Sequence, residues 1–98
     1  MKQSTAQIKE KLRDFLPELR KNYNVVKLGV FGSVVKGNQT PGSDIDMLVT
    51  FSTPPSFFKF IRLETYLHKI LKRRVDLVTE KALKNTIKEE ILQDVIYV

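Results

Sequence analysis

Three aspartates and a glycine–serine pair carry the chemistry in this sequence. Gly32-Ser33-Val34-Val35-Lys36-Gly37 is followed by Ser43-Asp44-Ile45-Asp46, and Asp76 stands in Val75-Asp76-Leu77. Side chains alternate across a strand, so Asp44 and Asp46 are expected on one face. Asp46 interrupts an apolar run between Ile45 and Met47. A carboxylate buried there needs a cation or hydrogen-bond donors, because leaving it unpaired costs at least several kcal/mol. Clustered carboxylates raise one another's pKa, and a divalent cation removes that conflict. All-oxygen ligands favour Mg²⁺ or Mn²⁺ over zinc. Two such ions roughly 3.5–4 Å apart would clamp the attacking and leaving oxygens of an in-line phosphoryl displacement. Gly32 would let a phosphate approach the backbone. Amides opening a short helix at 33–36 would face that anion, with the Ser33 hydroxyl and the Lys36 ammonium as further contacts.

Each part has a plainer reading. A Gly-Ser pair after a strand is a common turn, Asp44 can simply end a loop, and Asp76 can pair with Arg73 or Arg74. The combination is far more specific than any one of them.

The elements that must position these residues follow from periodicity and punctuation. Ile8, Leu12, Phe15, Leu16 and Leu19 recur at helical spacing, with Ser4 or Thr5 as N-cap and Tyr23-Asn24 as the end. Pro17 is expected to kink that helix or start a new one. Residues 25–31, 45–51 and 75–79 are short β-branched runs that read as strands. Phe57, Phe60, Ile61, Leu63, Leu67, Ile70 and Leu71 mark a helix after Pro54-Pro55, and Leu83, Ile87, Ile91 and Val95 stripe a last one. The order is α-β-β-α-β-α. A whole helix between the second and third strands suits a parallel crossover, and the shorter link between the first two suits antiparallel pairing. That arrangement brings Gly32-Ser33, Asp44, Asp46 and Asp76 to one end of the sheet. The expected fold is α/β, a small mixed sheet flanked by helices.

Composition narrows the function classes. With 98 residues, the chain has room for one domain, residues 1–98. No cysteine and a single histidine, His68, exclude a thiol nucleophile and a cysteine or histidine-rich zinc site. No secretory signal or bilayer-length apolar run is visible, so the expected location is cytoplasmic, with no membrane contact. Lys and Arg number 17 against 11 Asp and Glu, a net +6 that attracts anions. The most distinctive constellation is nevertheless acidic, and no nucleic-acid recognition motif accompanies the charge, which argues against a nucleic-acid binder. His68 reads as a structural residue, and Lys69, Lys72, Arg73 and Arg74 as a solvated face. The Phe57-Phe58-Phe60 cluster is expected to belong to the core, although three neighbouring aromatics cannot all face inward, which puts Phe57 or Phe58 near the surface.

The motif Gly32-Ser33-x-x-x-Gly37, Ser43-Asp44-Ile45-Asp46 and Val75-Asp76-Leu77 resembles the polymerase-β nucleotidyltransferase superfamily. The chain length and the ending Ile91-Leu92-Gln93-Asp94-Val95-Ile96-Tyr97-Val98 resemble its minimal nucleotidyltransferase (MNT) branch. The resemblance implies a nucleotidyltransferase-like fold, with Asp44, Asp46 and Asp76 as carboxylates that bind Mg²⁺ or Mn²⁺. Asp76 would lie near the attacking hydroxyl, and Gly32, Ser33 and Lys36 would hold ATP or another NTP. It further implies transfer of a nucleoside monophosphate to a hydroxyl, and a small helical HEPN-type partner whose tyrosine is the acceptor, the chain acting as antitoxin. Members of the branch usually carry Arg at the positions held here by Val34 and Lys36, so the phosphate grip is expected to be weaker. The rival expectation is an antitoxin that neutralises its partner by docking alone.

Overall fold

The computed structural model describes residues 4–37 and 44–98. Residues 38–43, among them Ser43 of the motif, therefore lie outside the described residues. Helix α1 spans Thr5–Tyr23. It starts on a reciprocal cap: Gln7 N donates to Ser4 Oγ at 3.2 Å, and Ser4 N donates to Gln7 Oε1 at 2.9 Å. It ends where Asn24 turns left-handed at φ 58° and its N–H donates to the Leu19 carbonyl. Pro17 lies inside this helix and begins no new one. Buried Ile8 and Leu12 before it and Leu19 after it anchor both halves to the same core, which offsets the one missing backbone hydrogen bond.

Strand β1 (Val25–Phe31), helical turn α2 (Ser33–Lys36), strand β2 (Ile45–Phe51), helix α3 (Phe57–Leu71) and strand β3 (Val75–Thr79) follow. A 3₁₀ turn at Glu80–Ala82 leads to helix α4 (Asn85–Asp94) and a two-residue strand β4 (Ile96–Tyr97). The sheet order is β3-β2-β1-β4, with β2 parallel to β3 and antiparallel to β1. This is the mixed α/β sheet the sequence leads one to expect, with one strand more. Leu83 and Val95 are extended rather than helical, so the last helix is shorter than its apolar stripe. Val95 redirects the chain so that β4 pairs with Gly29 and Val30 and Val98 N donates to the Leu28 carbonyl at 2.8 Å.

The register fixes the two faces of the sheet. Val30, Met47 and Leu77 are paired across the strands and buried, as are Leu28 and Val49. They join Ile8, Leu12 and Leu19 of α1 and Leu63, Leu67 and Leu71 of α3 in one core. The alternate set, Phe31, Asp46 and Asp76, is likewise paired and points to the opposite face. Val95 packs against that face at Gly29, where an added Cβ would lie 2.6 Å from Val95 Cγ2. Among the described residues, no helix is long and apolar enough to cross a membrane.

The outer edge of β3 is closed by α3. Ile45 N donates to the Arg74 carbonyl, so the backbone groups of Val75 and Leu77 point away from β2. Leu77 N donates to Glu64 Oε2 at 3.1 Å. His68 Nε2 donates to the Val75 carbonyl at 3.1 Å, and because a carbonyl only accepts, Nε2 carries the proton. His68 is thus structural, as its position in the sequence suggests. Glu64→Ala leaves a strand amide unpaired and is expected to cost about 1–3 kcal/mol in urea unfolding, with Glu64→Gln costing less because it can still accept.

Candidate active site

The site is built where β1 ends and β2 begins. Antiparallel pairing sets Phe31 opposite Asp46, so the residue after Phe31 lands on the Asp46 side chain. That residue is Gly32, with φ 77° and ψ −143°, a conformation open only to glycine. A Cβ at Gly32 would collide with Asp46 Oδ2. Gly32 is therefore required twice, by its backbone angles and by the carboxylate it faces. Gly37, left-handed at φ 74°, closes the turn.

Asp76 is the parallel-strand partner of Asp46, and Asp44 precedes β2 by one residue. Asp46 senses both of the other carboxylates. Burial pushes the Asp46 carboxyl above its usual range, and the charges of Asp76 and then Asp44 push it further. Asp46 is half-buried, while Asp44 and Asp76 are exposed. They are not closed into a cage: among the described residues, no group of three or more His, Cys, Asp or Glu is gathered to hold a metal ion by itself. One wall of the site is thus strongly acidic.

The remaining expected residues are distributed around Gly32. Ser33 opens α2, a single turn of four residues. Val34 is 4% exposed and belongs to the core cluster. The departure at Val34 accordingly falls on core packing rather than on a phosphate contact. Lys36 lies at the far end of the turn, 3.8 Å from Glu90 Oε1 and 3.7 Å from Asp94 Oδ2. The structure thus joins α2 to α4 through two carboxylates that sequence reading passed over. Their i, i+4 spacing, which sets them on one helix face, was the available signal. A cleft of about 240 Å³ opens between Gly32 and α4, with Phe31, Ile87 and Ile91 as its apolar lining and Lys36, Glu90 and Asp94 as its polar lining.

Comparison with known proteins agrees with this geometry. Residues 9–98 match the model of the nucleotidyltransferase domain family. The chain belongs to that family. The protein adenylyltransferase MntA of Thermococcus cleftensis is 48% identical over 81 residues, covering 83% of this chain and 82% of the relative. A candidate protein adenylyltransferase of Methanocaldococcus jannaschii is 44% identical over 94 residues, covering 95% of this chain and 96% of the relative. Among solved structures, a candidate minimal nucleotidyltransferase superposes with a TM-score of 0.78 at 30% identity, covering 96% of this chain and 95% of that one. A complex of the tri-AMPylated Shewanella oneidensis HEPN toxin with its MNT antitoxin matches at a TM-score of 0.67, covering 95% of this chain and 70% of that one; at 19% identity it bears on the fold alone. The chain is a nucleotidyltransferase of the MNT branch, and its fold is that of its structural neighbours.

Two substitutions test the geometry. With its carboxyl raised above the ordinary 3.8, Asp46 holds its proton to higher pH in the folded than in the unfolded chain. Its contribution to stability is full below the ordinary value and is lost as pH rises through the raised one. Asp46→Asn is therefore expected to raise Tm by a few degrees at pH 7 without divalent cations, and to leave it unchanged or lower below pH 3. Gly32→Ala is expected to destabilise by about 1–3 kcal/mol in thermal or urea unfolding, from backbone strain and the displaced carboxylate.

Proposed function

We propose that this nucleotidyltransferase transfers AMP from ATP to a tyrosine hydroxyl of a small helical HEPN-type partner, and that the modification silences the partner's toxicity. The observation that carries the reading is the half-buried Asp46, held against Gly32 and flanked by Asp44 and Asp76. Such a carboxylate is disfavoured by itself and becomes favourable beside a cation. The donors fit a hard divalent ion, Mg²⁺ or Mn²⁺, in atom type and charge, and the open cluster leaves the remaining ligands to be supplied by nucleotide phosphates. When bound, that ion neutralises the charge developing on the phosphoryl oxygens.

The chain's own groups supply the rest. Asp44, Asp46 and Asp76 are the proposed metal-binding carboxylates. Gly32 admits a phosphate close to the backbone, and the Ser33 hydroxyl donates to it. Lys36 contributes a positive charge after leaving Glu90 and Asp94; those contacts are exposed and lie at 3.7–3.8 Å, so little opposes the exchange. Asp76, exposed on β3, accepts the proton of the attacking hydroxyl. The hydroxyl oxygen bonds to the α-phosphorus, the bond from that phosphorus to the bridging oxygen breaks, and pyrophosphate departs with the electron pair. The similarity to protein adenylyltransferases supports ATP as donor and a protein as acceptor. The reading places the reaction in the cytoplasm, with the acceptor tyrosine supplied by the partner.

The test is an Asp44→Asn/Asp46→Asn variant co-expressed with a HEPN-type partner, sought first in the neighbouring reading frame. The expected outcome is loss of the AMP mass increment on the partner, read by intact mass spectrometry, together with loss of growth protection. Protection that persists without any increment would assign neutralisation to docking alone.

A further inference from the structure

A second concave site lies at the other end of the sheet. It is a cavity of about 380 Å³ between the ends of β2 and β3 and the start of α3, walled by Phe51, Pro55, Phe57 and Phe60. From Asp46 it lies four residues along β2, roughly 13 Å by strand rise. The nucleotide site does not include it.

The apolar surface does not stop at the cavity mouth. Phe57 is 73% exposed and Phe58 75%, packed edge to face with ring centroids 5.7 Å apart. Ile61 continues the patch along α3. A small ligand filling the cavity would leave these rings in water, so the extent of the patch calls for a macromolecular occupant. Strand addition is a poorer fit than a packed face: β2 is internal to the sheet, and on the outer edge of β3 the Val75 carbonyl and the Leu77 amide are already taken by His68 and Glu64. Charge narrows it further. Lys81 lines the cavity, and Arg62 is one helical turn from Phe58. Among the described residues, the one acid lining the cavity is Glu80, which is partly exposed, accepts from Thr50 Oγ1 at 3.5 Å and is offset by Lys88, whose Nζ lies 4.0 Å away. The rim therefore carries an excess of positive charge from Lys81 and Arg62.

We infer that the Phe57–Phe58 surface and its cavity dock an acidic helical face of the partner protein, which inserts an aromatic or branched aliphatic anchor beside Phe57. The inference rests on the proposed function for the existence of that partner, and adds where it sits. Docking at this end leaves Asp44, Asp46 and Asp76 open to nucleotide and acceptor. Buried aromatic anchors within such a patch carry most of the binding energy of an interface.

The experiment titrates the HEPN-type partner of the proposed function into wild type and into Phe57→Ala/Phe58→Ala by calorimetry, with Lys81→Glu as a second variant. Wild type should bind. The double variant should bind at least about 30-fold more weakly, and Lys81→Glu several-fold more weakly with a reduced salt dependence. Both rings are surface residues, so Tm and the affinity for ATP with Mg²⁺ should match wild type in each variant. If wild type binds and the double variant binds equally well, the docking surface is wrong and the functional reading stands. If wild type does not bind, the functional reading fails and the inference with it. A wild-type dimer in light scattering that Phe57→Ala/Phe58→Ala dissolves would assign the surface to a second copy and overturn the proposal.

Discussion

The contact between Asp46 and Gly32 is the constraint on which this molecule turns. A carboxylate at the start of the central antiparallel pair is pressed against a backbone that only glycine can form. Burial and two neighbouring carboxylates oppose its charge. Nothing in the hydrophobic core demands this: Asp46 lies on the face of the sheet opposite α1 and α3, and the buried set Val30, Met47 and Leu77 packs without it. The sheet carries a local electrostatic penalty on one face and offsets it through the well-packed other face. Such trade-offs are expected where a site is kept ready for a charged ligand.

The fold serves this contact by register. Antiparallel pairing of β1 with β2 sets the Gly-Ser turn beside Asp46, and parallel pairing of β2 with β3 sets Asp76 opposite it. The parallel crossover requires α3, and α3 also closes the β3 edge through Glu64 and His68. One helix thus fills the core and satisfies the edge, while the opposite face stays free for chemistry. The C-terminal segment completes the cleft, since α4 brings Glu90 and Asp94 to Lys36 and Val95 covers Gly29.

Much of this was legible in the sequence because the signals were local. Residues 25–31, 45–51 and 75–79 are bounded, β-branched runs, and the structure forms strands over those spans. Connection length alone gave the two pairing directions. The elements that were missed depend on tertiary context. β4 is two residues long, and only its hydrogen bonds to Gly29 and Val30 define it. Pro17 reads as a kink or a new start; the helix runs on through it, because core contacts on both sides outweigh one missing donor. In the site, the grouping of Gly32, Asp46 and Asp76 followed from alternation and register. Val34 did not, because its burial depends on which side of a one-turn helix faces the core. The pairing of Lys36 with α4 joins residues more than fifty positions apart, beyond the reach of pattern.

In the proposed function, Asp46 is held at an electrostatic penalty which a divalent cation and nucleotide relieve. The direct measurement is a carboxyl-carbon NMR titration of Asp46, in the protein alone and with Mg²⁺ and a non-hydrolysable ATP analogue. The prediction is a midpoint above the ordinary carboxylate value in the protein alone, and a fall below that value when both are added. An ordinary midpoint that does not move on their addition would contradict the account.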